Sequence, residues 1–364
     1  MGLTPPPPPF QYPVSWGPDM PPDHQTIWGA KVALAYFFIG LGSMLAAITA
    51  ANDVRVSVPA TGGETESIRN IARFKFSVGA ASLIALILGL GFLVLDAGKP
   101  STAWQIITYG LQYGRWESWM FLGTIFLIVL FILDIAYSVI WLGNMRPNFL
   151  SMLFNKISSW YVVKGKMYSM RYFLIGIMII FGILGASYGG VLFSQTNIGL
   201  WRNPTIILLF PVSGLSSAAA TGLLLTLIIK DPSIRDTNLL LWSRIDLFAE
   251  ASEATITALF LYIGYISTYA SESVYQVLFG RYSIYFWVLV VTLGIAIPML
   301  LELALHKVNP RYYKYIVPFV TVLVLIGAVA LRYYVAIASA YFYPPLSPFS
   351  PTQMQFPWGT CWGE

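Results

Sequence analysis

Residues 243, 246, 250, 253 and 257 are Ser, Asp, Glu, Glu and Thr, the last four lying in the apolar stretch DLFAEASEATITALFLYIGY that begins at Asp246. Steps of three and four place all five on one face of a helix. Carboxyls in line are proton-exchange groups, and at about 1.5 Å per residue the stripe climbs about 15 Å from Ser243 to Glu253. The run is apolar enough to cross a membrane, where each carboxylate at the bilayer centre costs about 2.5–3.5 kcal/mol on insertion scales. Asp134 and Glu302 are further acids inside apolar runs, and His306 follows the second of them. Asp134, Asp246, Glu250, Glu253 and Glu302 therefore form a candidate proton path. A structural explanation stands beside it, in which Arg244 or Arg235 neutralises Asp246 and the deeper carboxyls serve as neutral hydrogen-bond donors to neighbouring helices. Arg332 is one more buried charge, expected to face a carboxylate, carbonyls or water inside a bundle.

Metal chemistry is poorly supplied. The single Cys361 excludes thiolate-held iron–sulfur clusters and zinc fingers within this chain. Only His24 and His306 are available as haem ligands, and they fall on opposite sides of the topology derived below, so they cannot pair on one haem. No haem or metal is expected here.

The elements that must position these groups are membrane helices. Of 364 residues 57% are hydrophobic and 10% are charged, against about 25% charged in a soluble domain. Mean hydropathy is +0.69. Apolar runs of about 20 residues occur at 28–50, 71–95, 116–142, 170–193, 205–229, 243–268, 284–305 and 315–340. Without strand-like alternation these predict an all-α integral membrane protein of eight transmembrane helices. Small residues in GG at 189–190 and SGLSSAAATG at 213–222 favour close helix packing.

Fifteen Lys and Arg residues fall in the first, third, fifth and seventh loops, including Arg69, Arg73, Lys75, Arg146, Lys230 and Lys307. The other side has four: Lys99, Arg115, Arg202 and Arg281. The positive-inside rule then puts both termini outside the cytoplasm, and the basic pI needs no nucleic-acid partner. No signal peptide precedes the first span, which is expected to do the targeting. The tails at 1–27 and 341–364 hold fourteen of the 23 prolines with several aromatics and little charge, a composition suited to lying against an extracytoplasmic partner.

Several stretches in this frame resemble the NrfD-like family, which includes the membrane subunit of polysulfide reductase. They are LGLGFLVLDAGKPSTAW (88–104), RWESWMFLG (115–123), YGGVLFSQTNIGLWRNPTIILLFPVSGLSSAAATG (188–222) and LIGAVALRYYVAIASAYF (325–342). The shared pattern is a leucine-rich run ending in Asp and a small-basic-Pro turn, Trp-x-x-Trp opening the third span, Trp-x-x-Pro before the fifth, and a Gly-to-Arg-aromatic run in the eighth.

The resemblance implies two four-helix bundles and a quinone-handling anchor in a multi-subunit oxidoreductase. A ferredoxin-like iron–sulfur subunit would dock on the extracytoplasmic face, a molybdopterin catalytic subunit would complete the complex, and quinone or quinol would be the membrane chain's own ligand. Tyr188 matches a tyrosine the family uses at the outer end of its fourth helix. Lys31, one turn from Trp28, occupies the region of a polar first-helix ligand, and Asp96, Trp201 and Asn203 belong to the same outer rim. Lys31 snorkelling to headgroups, Tyr188 as an interface-belt tyrosine and Asp96 as a solvated turn beside Lys99 are equally open. A different class, the proton-coupled secondary transporter, also fits eight helices with internal carboxylates, although the two halves lack matching broken helices around Pro211 and Pro298.

Overall fold

A computed structural model describes residues 28–53, 65–97, 99–143, 168–196, 198–267, 270–305 and 307–338. The two tails, His24, His306, Cys361 and much of the basic loop sequence lie outside these residues. Among the described residues eight helices are long and apolar enough to span a bilayer. The long helices are α1 (Ala30–Asp53), α2 (Thr65–Asp96), α4 (Trp119–Gly143), α5 (Tyr168–Ser194), α6 (Ile206–Thr226), α7 (Pro232–Ile266), α9 (Ser283–Leu305) and α10 (Tyr313–Ala338). Two short amphipathic helices join spans on one side, α3 (Gln105–Gln112) between α2 and α4 and α8 (Ser271–Leu278) between α7 and α9. The start of α1 and the end of α10 share an end of the bundle, called here the terminal face.

The spans pack as the two expected four-helix bundles, α1, α2, α4 and α5 in one and α6, α7, α9 and α10 in the other. Helix α1 is the wall between them, touching α6 and α10 as well as its own bundle, and 89% of its span is buried, more than any other. Its sequence explains that position. Around GLGS (40–43) α1 has almost no side-chain bulk, so three helices approach it at backbone distance. A Cβ at Gly42 would stand 2.8 Å from the Ser82 carbonyl of α2, one at Gly214 of α6 2.9 Å from the Gly40 carbonyl, and one at Gly182 of α5 2.7 Å from the Ser43 carbonyl.

Two elements depart from sequence expectation. The sixth span begins at Ile234 instead of 243 and runs 33 residues, about 50 Å at helical rise against a hydrocarbon core of about 30 Å. Arg235, Asp236 and Arg244 lower its hydropathy, yet the helix continues through them as a projection beyond the apolar layer. In α9, residues Phe286–Ala296 are wound as a π-helix, with Ile297 N donating to the Thr292 carbonyl and Thr292 Oγ1 to the Trp287 carbonyl. This wide winding, a rare feature that favours functional regions, lets Gly294 sit against Gly327 of α10.

Candidate functional site

The acidic stripe of α7 is turned into the second bundle, where Asp246, Glu250 and Glu253 are all buried. The small residues of α6 meet it: Ser213 and Ser216, three apart on one face, point at the acids while Gly214 beside them makes the close crossing with α1. Near the opposite face Ser243 donates to Glu302 Oε2 at 3.4 Å, and Glu302 lies against Asp246. Ser216 donates to Asp246 Oδ1 at 3.4 Å. Glu253 neighbours both Ser213 and Ser216, with the Arg332 charge beyond them. Glu250 is buried with neither carboxyl oxygen hydrogen-bonded among the described residues.

Arg332 ends the series. Its Nη1 donates to Ser213 Oγ at 2.9 Å and to the Ala328 carbonyl at 3.1 Å, and its Nη2 donates to the Phe210 carbonyl at 3.3 Å. The guanidinium carbon also lies 5.7 Å from the rings of Phe37 and Phe210, cation–π range for a desolvated charge. Arg332 thus donates to two peptide carbonyls and a serine hydroxyl inside the bundle, with Glu253 beyond the serine. Glu302, Asp246, Glu253 and Arg332, linked by three serines, thus form one buried polar column through the second bundle. Carboxyls and hydroxyls both donate and accept, so they can hand protons on; the guanidinium cannot, and stands as a fixed positive charge at the end.

Two expectations about the acids need correcting. Among the described residues no arginine pairs with Asp246: Arg235 pairs with its neighbour Asp236 at 3.1 Å, and Arg244 is exposed on the other face of α7. Asp134 does not join the column, because α4 belongs to the first bundle. Lys75, counted above with the loop charges, is inside α2 and buried, bonded to Asp53 of α1 at 2.6 Å.

At the terminal face the expected rim residues separate into two groups. Trp28 stacks on Trp201 with ring centroids 5.1 Å apart and meets Phe193 edge-on at 4.8 Å. Trp201 Nε1 donates to the Val335 carbonyl at 2.6 Å. Asn203 donates to the Phe260 carbonyl at 2.9 Å, while its Oδ1 accepts from Thr205 N and Oγ1. The polar atoms of Trp201 and Asn203 are thus used in fastening the start of α6 to α7 and α10, which makes them walls. Lys31 is exposed on the first turn of α1.

Tyr188 is different. It is buried with its ring packed against Gly123 of α4, where any Cβ would collide with it. Its hydroxyl donates to the Met120 carbonyl over a long 3.4 Å. Tyr36 of α1, which the sequence did not single out, meets Tyr188 edge-on at 6.2 Å and lies close enough to half-buried Asp96 to feel its charge. Met120 also lines a cleft of about 520 Å³ between α3 and the start of α4, open to the terminal face and bordered by Tyr109, Arg115 and Phe121. Ser213, Ser216 and Tyr36 were missed because their partners lie on other helices; the three-residue spacing of the serines was the available signal.

The column and the tyrosine pair meet at α1. Gly40 lies against Arg332 Nη2, one turn from Tyr36, and the Phe210 ring that borders Arg332 packs edge-on against Tyr36 at 6.0 Å. Among the described residues no group of three or more His, Cys, Asp or Glu side chains is arranged to hold a metal ion.

This architecture can be set beside known proteins. The family profile described as polysulphide reductase, NrfD, matches residues 20–344. Protein NrfD of Escherichia coli (strain K12) is 26% identical over 283 residues, 76% of this chain and 84% of that protein. The Protein NrfD homolog of Haemophilus influenzae (strain ATCC 51907 / DSM 11121 / KW20 / Rd) is 22% identical over 320 residues, 86% and 94% of the two chains. All eight spans, and with them the buried column and the tyrosine pair, fall inside the matched stretch, and this multi-pass membrane protein belongs to the polysulphide reductase NrfD family.

Proposed function

We propose that the chain is the quinone-binding membrane anchor of a multi-subunit oxidoreductase. It exchanges electrons between the quinone pool and a ferredoxin-like iron–sulfur subunit on the terminal face, with a molybdopterin subunit as the catalytic partner. In this reading the terminal face is extracytoplasmic, since the opposite loops carry the Lys and Arg excess. The tails at 1–27 and 341–364 then lie on the partner side.

The observation that carries the reading is the junction at α1. A buried chain of exchangeable groups runs from the opposite face toward Arg332, and one turn away is a pair of tyrosines, of which Tyr188 is bonded to the carbonyl of Met120 at the cleft. The residues fit a quinone. The cleft lies within the roughly 300–1,000 Å³ typical of small-molecule sites and is lined by Tyr109, Phe121 and Met120, the last of which accepts the long 3.4 Å bond from the Tyr188 hydroxyl at its carbonyl. A bound quinone supplies two-electron, two-proton chemistry. Tyr188 and Tyr36 would hold its head through hydroxyl donors, with Asp96 close to Tyr36. Glu302, Asp246 and Glu253, spaced by Ser243, Ser216 and Ser213, would bring protons from the cytoplasm. Arg332 fixes positive charge at the end of that route and orients Ser213.

Tyr188→Phe keeps the ring against Gly123 and removes only the hydroxyl. Quinol-linked turnover is expected to fall about tenfold, the worth of one hydrogen bond of about 1.4 kcal/mol, while assembly and activity with an artificial donor are retained. Unchanged quinol kinetics would overturn the assignment. A proton-coupled transporter would purify alone; an anchor brings iron–sulfur absorbance with it.

A further inference from the structure

The first bundle holds a second polar site that the quinone reading does not use. Asp134 of α4 is 0% exposed and neither of its carboxyl oxygens is hydrogen-bonded among the described residues. One turn on, Ser138 Oγ is buried in the same condition. Both face one spot on α2, where a Cβ at Gly79 would collide with Ser138 Oγ and stand 3.6 Å from Asp134 Oδ1. With no side chain at residue 79, α2 comes into close contact with α4 beside these oxygens. Ser82, one turn further along α2, borders Asp134 and donates to the Gly42 carbonyl of α1 at 2.9 Å. Ser43 Oγ of α1 is also buried without a hydrogen-bond partner among the described residues, and Gly185 of α5 lies against it.

The charge of the site is unbalanced. The basic group on this face of α2 is Lys75, four residues before Gly79, and it is committed to Asp53 at 2.6 Å and to the Thr49 carbonyl at 3.4 Å. Among the described residues Asp134 has no such partner. Buried carboxylates in an apolar bundle need a counter-charge or a proton. The donor atoms here are all hard oxygens, from one carboxyl, two hydroxyls and a peptide carbonyl, with no nitrogen or sulfur ligand to favour a transition metal. One carboxylate balances one positive charge, whereas a divalent ion would leave a full charge uncompensated away from water.

We propose that Asp134, Ser138 and Ser82 bind a small monovalent cation, Na⁺, in the first bundle, in competition with a proton on Asp134. Binding is an exchange: one Na⁺ enters, coordinated by the Asp134 carboxylate and the two serine hydroxyls, and one proton leaves Asp134 to solvent. Asn70 and Asn52, both buried toward the opposite face, continue the polar surface in that direction.

The test uses the full chain in nanodiscs of zwitterionic lipid, with radioactive Na⁺ as probe and choline chloride as control. Saturable binding of one Na⁺ per chain is expected, with release of one proton into lightly buffered solution. D134N should abolish both signals, and S138A should weaken Na⁺ affinity about tenfold by removing one ligand. The infrared band of a carboxylic acid that D134N removes should disappear from the wild-type protein when Na⁺ is added. If D134N fails to fold, wild-type proton release and the S138A affinity decide the matter. Absence of Na⁺ binding, binding retained in folded D134N, or an infrared band indifferent to Na⁺ would each overturn the proposal, the last by leaving Asp134 with a proton alone. None of these outcomes depends on quinone turnover.

Discussion

Arg332→Met is expected to abolish quinol-linked turnover and to destabilise the membrane domain by about 3–5 kcal/mol, the cost of breaking a buried charged network from one side. Methionine fills much of the stem but supplies no donor. The Phe210 carbonyl and Ser213 Oγ each lose the guanidinium hydrogen bond they accept, at 3.3 and 2.9 Å, and Glu253 loses its one nearby positive charge. Phe37 and Phe210 lose their cation–π partner as well. Arg332→Lys keeps the charge but gives up the planar fork that reaches Ser213 and Phe210 together, so stability should largely return while turnover stays low. Unfolding in detergent and quinol-linked turnover, measured on the same preparations, separate the two effects. A stable Arg332→Met protein with wild-type turnover would remove Arg332 from the functional route.

Glu253→Gln should slow quinone-coupled turnover by roughly a hundredfold, at the lower end of what a positioned proton-transfer group contributes. Glu250→Gln should act in the same direction. An amide matches a protonated carboxyl in shape and hydrogen-bonding capacity but cannot exchange a proton at useful pH. Assembly should therefore survive both changes. Glu253 borders Ser213 and Ser216 and sits within the column, whereas Glu250 has no hydrogen-bond partner among the described residues and adjoins the column through the charges of Asp246 and Glu253. The larger effect belongs to Glu253. Vesicles enclosing a pH dye provide the measurement, with proton uptake followed from the side of the basic loops. Full turnover and unaltered uptake in both variants would mean that the acids only hold helices together.

The positions of the spans were legible because hydropathy reports burial in lipid one residue at a time. Seven helices begin within about five residues of their expected starts, and α7 is the exception because polar residues at 235, 236 and 244 hide a helix that continues through them. The stripe on α7 was legible for a related reason, since three- and four-residue spacing is a property of one helix. Assignments that depend on which helices are neighbours were not. Asp134 joins the α7 acids in sequence only as a further acid inside an apolar run, which does not reveal that a bundle boundary separates them. Lys75 counted as a loop charge because its burial depends on Asp53 reaching it from α1. Ser213 and Ser216 had been noted as packing residues; they are that, and hydrogen-bonding partners of the column too, which only the pairing of α6 with α7 makes plain.

The Asp53–Lys75 bond also bears on how the chain is made. Helix α1 leaves the ribosome before the other seven spans, yet it is the span most enclosed by protein, and it carries Ser43, Thr49, Asn52 and Asp53 on surfaces that the finished fold hides. Until α2 arrives, those groups would face lipid or the insertion machinery, and Asp53 would have no counter-charge. Lys75 supplies it 22 residues later, at the start of the next span. Biogenesis of the two helices as a hairpin, released into the bilayer together, avoids exposing a lone carboxylate, and it sets the first wall against which every later helix is folded.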